Sequence, residues 1–394
     1  MRLNVRTFFL LATSFFAFCN GSAEMLAQGG LSAAKPKWTV QLRNYGWKAP
    51  EFESNKKFFK DFAISKLAAM DPDTRILFAS NDLLIIYHTK QEGQDYRTAT
   101  RQVEAFFLNA LDGSLLRTKV WPVSMRKSEN ELRDSEGRML ALQDGRFLVH
   151  TNDNIMIYDR GLNLITQHKL EPLNSTDMWG VQGVAGGTQI FLRHESGPQV
   201  TYEWLASDSL QLLRKTSGFR NRNHLPQASV RAGESAVFTG SSSGLEAITP
   251  DQQVKIICED QLCRGPGELH VLASSYIVFS GRTGIEVIDQ ERGLVWAKTI
   301  APTANPNDFQ FGGITSSISG TRFGLWMTSY RKTLFDGVTV HQSPVLLIYD
   351  ATNPMLLWAI PIKQQAADFD VALSPDEKQL AIFDGASLRL HMID

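Results

Sequence analysis

Cysteine is scarce in this chain, with three among 394 residues, so a fold stapled by several disulfides is excluded. Long apolar runs are missing too. The best, Phe8 to Phe18, is interrupted by Thr13 and Ser14 and falls short of the about 20 residues that span a bilayer as a helix. Neither charge sign prevails: 40 Lys and Arg face 41 Asp and Glu, for a net charge of −1. A general nucleic-acid binder would be clearly basic, so that partner class is not expected. Helical periodicity over a dozen residues is absent apart from a weak stretch at 57–70. What remains is a globular composition, 43% hydrophobic and 10% aromatic, incompatible with a disordered tail or a collagen.

Residues 1–23 read as a secretory signal peptide. Arg2 and Arg6 form its charged start, and Gly21-Ser22-Ala23 supplies the small residues that a signal peptidase needs. Cleavage is expected after Ala23, giving a secreted or periplasmic protein with no remaining transmembrane segment; an uncleaved anchor is the alternative. Loss of the two arginines takes the net charge from −1 to −3. Cys258 and Cys263 then remain, and an oxidising compartment suits their pairing as a disulfide. Half of a metal site is the rival reading, but no second cysteine pair or nearby histidine completes it.

The rest of the chain alternates short β-rich runs with Gly, Asp, Asn and Ser, and the runs repeat. Arg146 to Thr151, Asn154 to Asp159 and Leu164 to Leu170 are matched by Ser275 to Ser280, Gly284 to Asp289 and Leu294 to Ile300. Strand-ending positions fall near 112, 159, 206, 249, 289, 350 and 394, at steps of 47, 47, 43, 40, 61 and 44. A period in the forties of four-strand units is the signature of β-propeller blades. The expected fold is therefore all-β, a seven-bladed propeller of four-stranded antiparallel blades over residues 38–394, preceded by a flexible segment at 24–37. The long step is attributed to a loop at Thr328–Ser343. The final unit runs out after three strands, and Trp38 to Arg43 is expected to supply the fourth, closing the ring without an open sheet edge. Two β-sandwich domains are the alternative, but no Pro/Gly/Ser linker divides the chain.

In the last unit, Ser374-Pro375-Asp376, with Leu380 and Ala381, resembles the S-P-D-G-x-x-L-A hairpin of WD40-like and YVTN-type propellers, with Glu377 in the glycine's place. A weaker resemblance is to quinoprotein blades. Asp350 and Trp358 keep the Asp–Trp spacing, Asp289 and Gly293 keep the Asp–Gly spacing with Trp296 one place early, and Ala110 and Asp112 match the start. These resemblances imply a propeller with a habit of binding and no specific activity.

No catalytic motif stands out. Gly240 to Gly244 fits G-x-S-x-G, but β-rich runs on both sides make Ser242 a hairpin residue and not a nucleophile on a strand-to-helix elbow. Gly180 to Gly187 lacks dinucleotide spacing. The eight histidines are scattered. The pairs Asp71/Asp73 and Asp368/Asp370 read as turn caps before they read as calcium ligands. No catalytic residue, metal or cofactor is assigned.

Long insertions at Thr89–Val103, Pro122–Arg138, Lys215–Gln227, Ala301–Phe309 and Thr328–Ser343 all map to one face. Three are rich in arginine and aromatics, the side chains that most often anchor binding. Tyr96, Arg97, Arg101, Arg220, Arg222, His224, Tyr330, Arg331 and Phe335 are the candidate binding residues. The expected function is a monomeric module that binds a protein, or a small anionic or carbohydrate ligand, on this face. The alternative is a propeller enzyme, a hydrolase, lactonase or quinone-dependent oxidoreductase, with its site over the central channel.

Overall fold

The computed structural model describes residues 35–48, 74–92, 100–123, 137–151, 153–170, 178–196, 199–219, 227–231, 234–241, 244–248, 254–258, 267–272, 276–281, 284–299, 308–333, 337–340, 345–361 and 369–393. The signal peptide, Cys263, Ser242, Asp71, Asp73 and Asp368 lie outside them.

The first sheet runs outward through Thr74–Ser80, Leu83–Glu92, Thr100–Asn109 and Leu115–Val123. The second uses Arg138–Ala141, Phe147–His150, Asn154–Tyr158 and Leu164–Lys169. Met178–Val184, Gln189–Ser196, Gln199–Ala206 and Leu212–Phe219 form the third. Gln227–Arg231, Glu234–Ser241, Gly244–Ile248 and Val254–Cys258 form the fourth. The fifth comprises Gly267–Val271, Tyr276–Gly281, Gly284–Asp289 and Gly293–Thr299. A closing sheet takes Asp370–Leu373, Gln379–Phe383 and Ser387–Met392 from the end of the chain and Trp38–Gln41 from its start. Trp38 stands opposite Leu390 and Gln41 opposite Ser387.

Among the described residues, these six antiparallel sheets have four strands each. The sixth along the chain departs from them: beside Asp308–Ser316, Arg322–Thr333, Val345–Asp350 and Asn353–Pro361, a fifth strand, Gly337–Val340, pairs with Arg322–Thr333. This corrects the expectation of seven uniform four-stranded blades. The residues expected to loop out at 328–343 instead prolong the second strand to Thr333 and fold back against it, Tyr330 opposite Val340 and Thr333 opposite Gly337. Val338-Thr339-Val340 is β-branched and pairs readily, so part of the extra length of that step is strand.

The innermost strands touch in chain order, and Asp370–Leu373 returns to Thr74–Ser80. The ring is therefore closed. At the seam, the Ile76 amide donates to Asp370 Oδ2 at 2.8 Å. Apolar side chains alternate along the strands and fill the space between sheets. One cluster joins Ile76, Leu84, Ile86 and Phe106 of the first sheet to Ala381, Phe383 and Leu388 of the closing sheet, capped by Leu42 and Trp47.

The repeat has a physical origin. At the turn between third and outermost strand, an Asp carboxylate accepts from backbone amides two to four residues on: Asp112 from Ser114, Asp159 from Asn163, Asp289 from Glu291 and Arg292, Asp350 from Thr352. These are local turn caps of the kind aspartate favours. Outer-strand tryptophans then fasten neighbours. Trp38 Nε1 donates to the Ala110 carbonyl at 3.0 Å, and Trp296 Nε1 to that of Ala351 at 2.9 Å.

Candidate functional site

Because each sheet is antiparallel, all innermost strands start at one end of the ring and finish at the other. The two ends differ. At the finishing end, the turn after Asp308–Ser316 carries Ile318 toward the turn after Met178–Val184. A side-chain carbon on Gly187 would stand 2.6 Å from Ile318 Cδ1, so only glycine leaves room for that contact. The third and sixth sheets are not neighbours in the ring, so Ile318 meets a turn that the ring order keeps apart from its own.

The turn that carries Ile318 is held by its neighbour. Glu377 accepts from Ser317 Oγ at 3.1 Å and from the Arg322 amide at 2.6 Å, while Arg322 donates to the Glu377 carbonyl at 3.0 Å. Ser319 Oγ donates to the Pro375 carbonyl at 2.5 Å. Beyond it, Asn81 accepts from the Asp376 amide at 3.0 Å and the Gln379 side-chain amide at 2.8 Å. The finishing-end turns of three successive sheets are thus clasped in series.

At the starting end, Thr74, His88 and Glu104 lie in one row of the first sheet. His88 is buried, and its Nε2 lies 2.9 Å from Glu104 Oε2. The Trp47 ring tilts against the imidazole at 6.0 Å and meets Phe383 edge-on at 5.5 Å. Next to this row is Tyr87, whose hydroxyl donates to the Met139 carbonyl at 3.3 Å. Burial raises the Tyr87 pKa; the charges of Arg75 and Arg138 oppose the shift and that of Asp370 adds to it. Arg75 stands opposite Tyr87 and Arg138 opposite His150, and Asp370 accepts from the Ile76 amide at the ring seam.

A further regularity escaped the sequence. His88, His150 and His194 occupy second strands of three successive sheets, opposite Thr74, Arg138 and Trp179 at the start of the innermost strands. The segments Tyr87-His88-Thr89, Val149-His150-Thr151 and Arg193-His194-Glu195 carry the signal once the sheets are superposed. Among the described residues, no group of three metal-ligating side chains is brought together.

Of the binding residues nominated from sequence, Tyr96, Arg97, Arg220, Arg222, His224 and Phe335 lie outside the described residues, as does the partner that a Cys258 disulfide would need. Arg101 is a half-buried strand residue opposite Gln91 and Val123. Tyr330 and Arg331 stand in the prolonged strand, opposite Phe309 and Asp308 on one side and Val340 and Thr339 on the other. Asp370 serves the ring seam, and Gly240 to Gly244 spans the hairpin in which Ser241 stands opposite Gly244.

Strands arranged radially, inner strands in a closed cycle and one sheet completed from both ends of the chain define a β-propeller. No family model and no curated protein matches the chain. Among solved structures, it is similar to virginiamycin B lyase from Staphylococcus aureus at 12% identity and a TM-score of 0.46, over 82% of this chain and 96% of that one. BBS1N in complex with ARL6DN is similar at 9% identity and a TM-score of 0.48, over 82% and 92%. A protein of unknown function from Bacteroides caccae is similar at 12% identity and a TM-score of 0.40, over 66% and 95%. At such identities no residue role carries over.

Proposed function

We propose that this propeller is an exported binding module that takes a partner protein, or a small anionic or carbohydrate ligand, at the starting end of its ring. The observation that carries the reading is the asymmetry of the ends. At the finishing end Ile318 approaches the Gly187 turn, whereas at the starting end Arg75 stands opposite Tyr87 and Arg138 opposite His150. The connections that the sequence makes long, with Arg220 and Arg222 among them, also belong to the starting end by chain direction. Loops on a rigid scaffold commonly carry recognition, and arginine suits anionic groups through its forked donors.

The test replaces Arg220, Arg222 and Arg331 together with alanine. Tagged wild-type and triple-variant proteins are compared as baits on the native envelope fraction and on immobilised uronate and neutral glycans. The expected result is a partner or anionic glycan retained by wild type and lost, at least tenfold, by a variant with unchanged melting temperature. Equal retention by both proteins overturns the reading.

A further inference from the structure

The outermost strands carry a charge asymmetry that the whole chain lacks. Across Trp38–Gln41, Leu115–Val123, Leu164–Lys169, Leu212–Phe219, Val254–Cys258, Gly293–Thr299 and Asn353–Pro361 there are seven Lys or Arg and no Asp or Glu. In a chain with 40 basic and 41 acidic residues, the outermost strands thus hold charge of one sign.

The same strands begin alike. Leu164-Ile165, Leu212-Leu213 and Leu294-Val295 are exposed apolar pairs, each at or next to the first residue of its strand, and their exposure lies between 40% and 50%. Leu116 and Met355 repeat the position in two further sheets at 57% and 63%. All outermost strands start at one end of the ring, the end at which Ile318 meets the Gly187 turn. The apolar positions therefore form an interrupted belt around a single rim, and basic residues follow farther along the wall. Lys169 comes four positions after Ile165, or roughly 13 Å along an extended strand, whereas Lys119, three positions after Leu116, lies over the Tyr158 ring at 4.0 Å.

We propose that this rim seats the propeller on an anionic lipid surface. Apolar side chains enter the interface, and the lysines and arginines behind them lie at the level of the headgroups. Amphipathic surfaces bind bilayers in this way, with apolar groups about 5–10 Å deep and cations above them, and anionic lipid attracts basic segments within a Debye length. Charge complementarity selects this occupant: strands without acids are repelled by a basic partner and drawn to a negative one, and exposed leucines favour an amphiphile over a soluble polyanion. At the turns into these strands, Asp112, Asp159 and Asp350 are engaged by backbone amides, while Asp208, which accepts from Ser209 Oγ, and Glu291 are exposed acids at the same rim. Glu203, on the adjoining strand, is met by Lys215 at 2.7 Å. The chain also enters the ring at this rim. The Lys37 amide donates to the Leu390 carbonyl at 2.7 Å just before the strand that starts at Trp38.

The test uses residues 24–394, the exported form expected from the sequence, in sedimentation with phosphatidylglycerol-containing and pure phosphatidylcholine vesicles. Binding to the first and not the second is expected, weakening as salt rises. Leu164→Ser, Ile165→Ser, Leu212→Ser, Leu213→Ser, Leu294→Ser and Val295→Ser together should reduce binding at least tenfold with unchanged circular dichroism and melting temperature; if that variant does not fold, each pair is replaced alone. Arg117→Gln, Lys169→Gln and Lys215→Gln together should remove most of the salt dependence. No binding to anionic vesicles, or equal binding by the folded serine variants, overturns the proposal. So does a lipid-independent dimer that the same serines dissolve, which would make the rim a contact between two copies. Failure here leaves recognition at the opposite end untouched.

Discussion

At the residue scale, Glu377 shows why a motif position can change without loss of its turn. It has a φ of +59°, a conformation glycine adopts freely and other residues rarely do. Its carboxylate bonds to Ser317 and the Arg322 amide offset that strain. The sequence displayed the departure but not the partners, which lie more than fifty positions away. His270 offers a titration test. Its Nε2 lies 2.8 Å from Ser316 Oγ on the next sheet, and burial lowers its pKa from 6.5 to about 4. A base with a depressed folded pKa favours the fold above its unfolded value and loses that contribution as acid protonates it. The stability advantage of wild type over His270→Gln should therefore shrink as pH falls from 6.5 to about 4. Melting temperatures of both proteins across that range check it; a constant difference contradicts it.

At the element scale, the turns at the finishing end behave as one unit. A side-chain carbon on Gly320 would collide with the Glu377 carboxylate. Gly320→Ala should force the clasp apart, loosening the turn that carries Ile318, and overpacking of this kind costs about 1–3 kcal/mol. A lowered midpoint in denaturant, with unchanged slope, is the expected reading. Much of the element pattern was legible because hydrophobic alternation and Asp-capped turns are local. The fifth strand at Gly337–Val340 was not, because extra length between two repeat positions reads equally as a loop or as an added strand. The histidine row was hidden for a different reason: each member stands alone in the chain, and only register between strands aligns them.

At the scale of the whole molecule, the repeat revealed a ring, while its two unlike ends had to come from the structure. Ile318 meets Gly187 across more than a hundred residues, a contact without a local signature. The outer wall was readable in principle, since its residues are all in the sequence, but it emerges only when the outermost strand of every sheet is considered together.

The pairing of Trp38–Gln41 with Ser387–Met392 also orders events during synthesis. The strand at Trp38–Gln41 has no partner until Ser387–Met392 has left the ribosome, so the ring stays an incomplete arc until then. Its closure joins strands separated by almost 350 residues of synthesis. A circular permutant that joins the C-terminal end to Lys35 by a short linker, and opens within 124–136, would make those strands consecutive. It should reach the native state faster than the natural order, with a similar melting temperature, as refolding kinetics would show.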